Sequence, residues 1–167
     1  MRIARAFVVA LLTFVVYIVF TGSVTIYDLI TGVIAAIVVG ALCANIVLQN
    51  PRKVFDVRRW IHLVAYALHY FFIDEVKAHL DVARRILSPS MPINPGIVRV
   101  PYEVVSDYAI TAVANSITNT PGTVVVDIDT ERKVMYVHWI DVKTTKPSEA
   151  RKHISETFER FAKKVFD

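Results

Sequence analysis

Two groups of side chains in this chain have the types and spacing to do chemistry. The first is His62, His69, Asp74, Glu75, Lys77 and His79, a string of ionisable groups along one stretch. Imidazole titrates near neutral pH, so such a string, with His62, His69 and Glu75 as its chief members, is what a proton relay would use. The second is Asp127, Asp129, His138 and Asp141, the residue types of a metal or hydrolytic site. Each group has a plainer reading. Asp127 and Asp129 share a strand face, but His138 and Asp141 are three apart and point to opposite faces, so the acids are read as closing a turn and making local hydrogen bonds. The polar residues of 62–79 are read as one face of a helix against headgroups, water or a partner subunit. No cofactor and no metal is expected. Pro121-Gly122 precedes a strand, whereas a phosphate cradle opens onto a helix. The lone Cys43 lies in an apolar run, so no disulfide or thiolate site can form within the chain. Tyr66, Tyr70, Phe71 and Phe72 read as an interfacial aromatic belt.

The elements that must carry these residues fall into two halves. Mean hydropathy is positive, and the apolar residues crowd into the first half. An apolar run begins at Ala6 behind Arg2 and Arg5, and no polar, small-residue cleavage region follows it, so it is a retained span. Residues 29–48 form the second, about the twenty that a helix needs to cross about 30 Å of hydrocarbon. Gly32, Ala35, Ala36, Gly40, Ala41 and Ala44 are the small residues that let helices approach closely in lipid. Neither span has an ionisable group at mid-depth. Asp28 sits at the interface, where a helix N-terminus favours an acid. Basic residues flank the pair outside, and the 21–28 connection has none. Both ends of the hairpin are therefore placed in the cytoplasm. The net charge of +4 is modest, and much of it sits beside apolar segments at Arg52, Lys53, Arg58 and Arg59. Lipid headgroups explain it more simply than nucleic acid does, and no nucleic-acid partner is expected.

Residues 60–87 predict a long amphipathic helix. Ile61, Val64, Leu68, Phe72, Val76, Leu80, Ala83 and Leu87 recur at three- and four-residue steps, with His62, His69, Lys77, Asp81 and Arg84 near the other face. It could cross the membrane, which would carry Lys77, Arg84, Arg85 and the tail outside. Lying along the cytoplasmic boundary, or against partner subunits there, keeps every positive segment inside, and we prefer that reading. The chain thus divides into a membrane portion, 1–87, a Pro/Gly linker, 88–95, and a cytoplasmic domain, 96–167.

The tail reads βαββα, an α+β domain. Residues 97–100 form a short strand, 106–119 a helix with Ser106 as N-cap, and 147–166 a last helix striped by Ala150, Ile154, Phe158, Phe161 and Val165. Between these lies 114–141, the stretch with most local information. Pro121-Gly122 fits the centre of a type II turn. Val124, Val125 and Val126 begin a strand, and 134–140 alternates Val134, Tyr136, His138 and Ile140 against Met135, Val137 and Trp139. Strand–helix–strand suggests a parallel pair joined by a crossover, with the hairpin adding an antiparallel strand. Two helices cover one face of three strands. The other face, bearing Tyr136 and His138 or Trp139, then needs a cover from elsewhere.

NSITNTPGTVVVDID followed by YVHWID, preceded by PINPGIVRVP and an apolar N-terminal half, resembles the E subunit of multisubunit Mrp-type Na+/H+ antiporters. Members of that family also occur in the antiporter module of archaeal membrane-bound hydrogenases and related sulfur-reducing complexes. The resemblance covers nearly the whole chain, and its most specific positions are Asn115, Ser116, Thr120, Pro121, Gly122, Asp127, His138 and Asp141. Asn119 stands where the family more often has an apolar residue, and Trp139 where it has a small one. The resemblance implies a small accessory subunit of the cell membrane with no catalytic residue. Its partners would be other antiporter-module membrane subunits, membrane lipid, and hydrogenase or iron–sulfur subunits of the same complex.

Overall fold

A computed structural model of the chain describes residues 2–48 and 50–167; the side chain of Arg52, one of the cations noted above, lies outside the described residues. It divides into two compact units, Met1–Asp56 and Val57–Asp167.

The first unit is a helical hairpin, α1 (Arg2–Thr21) and α2 (Ile26–Val47), both long and apolar enough to cross a membrane, followed by a 3-10 turn at Pro51–Phe55. Thr25 caps α2 and Asp28 completes a capping box, so the one acid of the two helices holds the Thr25 amide and the hydroxyls of Ser23 and Thr25. Gly32, Ala36, Gly40 and Ala44, each four residues on from the last, are the buried face of α2. Their smallness is required: a Cβ on Gly40 would stand 2.7 Å from the Ala6 carbonyl oxygen. Tyr17 and Thr31 add a hydroxyl–hydroxyl bond of 2.8 Å between the helices.

The second unit begins with the long helix. In place of one regular helix it has α3 (Val57–His69), a π-helical turn (Tyr70–Asp74) and α4 (Glu75–Leu87). Then come β1 (Gly96–Pro101), α5 (Asp107–Asn119), β2 (Thr123–Asp129), β3 (Val134–Trp139), α6 (Pro147–Ile154) and α7 (Glu156–Phe166). The last helix expected from the sequence is thus two, broken at Ser155.

The expected parallel pair is also corrected. The sheet order is β1-β3-β2 with both pairings antiparallel, so β1 and β2 run in the same direction but with β3 inserted between them. The hairpin folds β3 inward, and the central place suits the strand whose Met135 and Val137 are fully buried. Val98 and Val125 flank Val137, and Val100 and Ile128 flank Met135. Val125 and Ile128 are three apart and could not share a face of a regular strand; a bulge at Val126 makes up the extra residue. This face packs on Ala109, Val113 and Ile117 of α5 and on Ile154, Phe158 and Ala162 of α6 and α7. On the opposite face, Ile97, Val124 and Val126 are exposed beside half-buried Tyr136 and His138, the face anticipated to need a cover.

A buried carboxylate ties α6 and α7 to the strand side. Glu159 accepts from the Glu103 amide at 2.9 Å, from Arg151 Nε at 3.0 Å and from the Ser155 hydroxyl at 2.8 Å. Replacing it by Leu removes the acceptor that these three donors share. We therefore expect Glu159→Leu to lower the stability of the full chain in mild detergent by about 2–3 kcal/mol, the buried-pair figure reduced because Arg151 keeps Glu103. The denaturant midpoint followed by circular dichroism checks this, and an unchanged midpoint refutes it.

Candidate functional site

Several of the residues singled out in the sequence, Ser116, Pro121, Gly122 and Asp141 among them, meet at one feature, the seam where the long helix lies on the rest of the second unit. At its start Arg59 donates to the Val165 carbonyl at 2.8 Å. Two turns on, the buried Tyr66 stacks on Phe161 with centroids 5.3 Å apart and shares a short hydroxyl–hydroxyl bond with Ser116. Tyr70 meets Phe158 edge to face, and the Thr120 hydroxyl donates to the Ser116 carbonyl at 2.6 Å. In α4, Val82 stands over the Pro121-Gly122 turn, where a Cβ on Gly122 would lie 3.6 Å from it and 3.0 Å from Ile140. Gly122 has φ +96°, and the Thr123 amide closes the turn onto the Thr120 carbonyl, so a side chain there is strained by conformation and crowded by Ile140. At the far end Arg85 bonds Asp141 at 2.9 Å, Asp81 at 2.8 Å and the Pro92 carbonyl at 2.6 Å.

Ser116, the Pro121-Gly122 turn and Asp141 therefore act together as the surface that receives Tyr66, Val82 and Arg85. The sequence alone marked one side of this seam and missed the other. Asn115 is exposed on α5 and is not part of it. Asp127 accepts from the Ile128 amide, and Asp129 accepts from the Arg132 amide, both local bonds at 2.9 Å. His138 sits in a row with Ile97 and Val124 on the open sheet face. Asp127, His138 and Asp141 thus have separate surroundings and do not converge on a shared ligand position.

The string of ionisable groups on the long helix also has a local geometry. His69 Nε2 lies 3.5 Å from Asp74, Tyr70 donates to Glu75, and His79 lies 3.2 Å from the other Glu75 oxygen. Two of these pairs, 69 with 74 and 70 with 75, are five residues apart. Such pairs diverge on an α-helix and stack on a π turn, so they clasp the insertion. Burial pushes the Asp74 carboxyl up, against the pull of His69, Lys77 and Arg160. His62 stands two turns before His69, about 10 Å along the axis, apart from this cluster.

The family described as Na+/H+ ion antiporter subunit matches residues 10–165 of the chain. The Na+/H+ antiporter E subunit of Alkalihalophilus pseudofirmus is 34% identical over 148 residues, 87% of this chain and 88% of its own length. The E1 subunit of the Staphylococcus epidermidis antiporter is 30% identical over 162 residues, covering 97% and 98%. Among solved structures, a chain of the membrane-bound sulfane sulfur reductase, an archaeal respiratory membrane complex, superposes with a TM-score of 0.83 at 30% identity, covering 98% of this chain and 99% of that one.

The seam can be probed at both ends. Asp141→Ala leaves Arg85 without its cross-domain partner, and amide exchange should speed up in 78–95 while 109–117 stays protected; equal exchange throughout would refute the clamp. Burial, then the bond given to Glu75, pushes Tyr70 up to about 12. The folded chain therefore holds a proton that the unfolded chain releases near pH 10, so this contribution is complete below pH 10 and is lost as pH rises toward 12. Tyr70→Phe should flatten the fall of the unfolding midpoint across that window, and an unaltered slope would count against it.

Proposed function

The chain belongs to the E-subunit family of Na+/H+ antiporters, and from that premise we propose that it is a non-catalytic accessory subunit of a multisubunit cation/proton antiporter module. The observation that carries the reading is the use made of the residues behind the family likeness: Ser116, Gly122 and Asp141 meet the long helix at the seam, and none is grouped for chemistry. Asp28, the acid of the two spans, is held in a capping box at the helix start. In this reading residues 1–87 are membrane-bound and multi-pass, 88–95 join them to the domain, and 96–167 lie in the cytoplasm, with the basic residues outside the hairpin supplying the orientation. The chain braces the ion-translocating subunits, with the open sheet face and the long helix as its available surfaces.

The host complex in this proposal is a redox-driven one of the membrane-bound hydrogenase type, where iron–sulfur or hydrogenase subunits are further partners. The likeness to a chain of the archaeal sulfane sulfur reductase supports it. A free-standing Mrp antiporter is the second reading, favoured by the names of the bacterial relatives.

Copurification from native membranes through a C-terminal tag should bring down antiporter-like subunits together with iron–sulfur or hydrogenase subunits; antiporter subunits alone would select the second reading, and the chain by itself would overturn both. Single replacements His62→Ala, His69→Ala and Glu75→Gln should leave cation/proton exchange within about twofold once assembly is verified, because the chain relays no proton. A loss of about a hundredfold with the complex intact, the scale of a removed proton-transfer group, would replace the accessory role by a relay.

A further inference from the structure

The π turn at Tyr70–Asp74 does a geometrical job that the seam alone does not explain. From Val57 to Leu87 one row of exposed apolar residues runs Val57, Ile61, Val64, Leu68, Phe72, Val76, Leu80, Ala83 and Leu87, eight steps over thirty residues, with Trp60, Phe71, Ile73 and Ile86 also exposed. Eight turns of an α-helix use about 29 residues, so a straight helix would leave the second half of this stripe rotated by about 100° from the first. A π turn takes up one extra residue and cancels that rotation. The same correction applies to the charges. Arg58 and Lys77, nineteen residues apart, would diverge by about 100° on a straight helix, and with the insertion they fall on one flank of the stripe together with Arg84.

The result is one apolar face about 45 Å long by helical rise, edged on one side by cations. It is open: Ile61 is 62% exposed, Leu68 53%, Phe72 71%, Leu80 58% and Leu87 82%. No stripe residue carries a hydrogen-bonding side chain. Asp81, the acid nearest the cationic flank, is occupied by Arg85. The helix begins ten residues after α2 ends, so its first turn is tethered within about 35 Å of the end of a membrane-crossing helix even if the connection is fully extended. A long apolar face without polar features, a cationic edge and a short tether to a span are the attributes of a helix lying at headgroup depth.

We propose that the long helix binds an anionic lipid surface along its whole length, and that the π turn exists to hold its two halves in one lipid-facing plane. This rests on the cytoplasmic-boundary placement given above. The seam residues Tyr66, Tyr70, Val82 and Arg85 face the other way, so the helix is a two-sided plate with lipid on one side and the domain on the other.

The test uses the full chain with Cys43→Ser, reconstituted alone and within its purified complex, with a fluorophore at a single cysteine replacing Leu68, Leu80 or, as a control, Lys152. Vesicles are phosphatidylcholine with or without phosphatidylglycerol, and quenchers are nitroxides on the acyl chains or iodide in the water. We expect acyl-chain quenching at Leu68 and Leu80 several-fold above that at Lys152. The docked-to-undocked ratio should drop roughly fivefold for each cation removed in Lys77→Gln and Arg84→Gln, and likewise fall without phosphatidylglycerol. Deletion of Ile73 should move only the Leu80 label out of lipid. If that deletion unfolds the chain, the point labels still decide. Leu68 in lipid with Leu80 in water would overturn the continuous plane, and quenching indifferent to lipid charge would overturn the anionic preference. Both labels shielded from nitroxide and iodide in the complex would mean that another protein covers the face. Any of these with copurification intact refutes this inference alone, whereas a chain that copurifies with nothing refutes the accessory role.

Discussion

Everything beyond residue 56 depends on the seam between the long helix and the domain. The domain has a three-stranded sheet with helices on one side, and Tyr66 of the long helix belongs to the same core as the buried residues of the tail. The helix in turn has too few apolar residues on its inner side to stand alone, and its inner side is made of Tyr66, Tyr70, Ala78, Val82 and Arg85. The polar members each need a specific receiver, because a buried hydroxyl or guanidinium is costly unless it is bonded. Ser116 receives Tyr66, Asp141 receives Arg85, Glu75 on the helix itself receives Tyr70, and Val82 packs over the Pro121-Gly122 turn. The demand for closeness at the turn and for polar partners on either side of it explains why small hydroxyl residues, proline, glycine and aspartate occur together here.

The π turn follows from the same constraint. A helix that must keep one face on the domain and its opposite face apolar over seven or more turns drifts unless the repeat is corrected. One inserted residue corrects both faces at once. Its cost is a poorer set of backbone bonds, and the 69–74 and 70–75 side-chain pairs offset part of that. This gives the ionisable string a structural role. The groups close on one another over a short stretch, with Tyr70 and His69 also packed on Phe158 and Phe161.

Much of this was legible in the sequence. Two apolar runs, the Ser106 cap and the turn at Pro121-Gly122 were local patterns and formed as read, while four of the six small residues of α2, without Ala35 and Ala41, are buried, and the alternation in β3 ends at Trp139, one residue short. What failed to show was non-local or single-residue in kind. The place of β3 between β1 and β2 is a matter of which strand gains most by being central, and alternation alone does not rank strands. The Val126 bulge and the break at Ser155 each depend on one residue in a periodic run, and Ser155 breaks the helix while keeping its hydroxyl on Glu159. Arg85 looked like one more surface cation until Asp141 and Pro92 were seen beside it. The π turn did leave a trace: the stripe averages about 3.75 residues per step where an α-helix has 3.6, and acids follow His69 and Tyr70 at five residues.

The two units solve the same problem with opposite materials. In the hairpin, where lipid is as apolar as the side chains, helices gain nothing by burying Leu or Val against each other and associate through smallness, so that Gly32, Ala36, Gly40 and Ala44 form the contact and the large residues point outward. In the domain, water drives large residues inward, and Met135, Ile117 and Val100 are fully enclosed. The long helix belongs to neither regime. Its inner face is aromatic and polar, bonded as a water-facing protein bonds its buried groups, while its outer face is as apolar as a span. In the order of the chain it stands between the apolar hairpin and the water-driven core, and its pattern is likewise divided between the two.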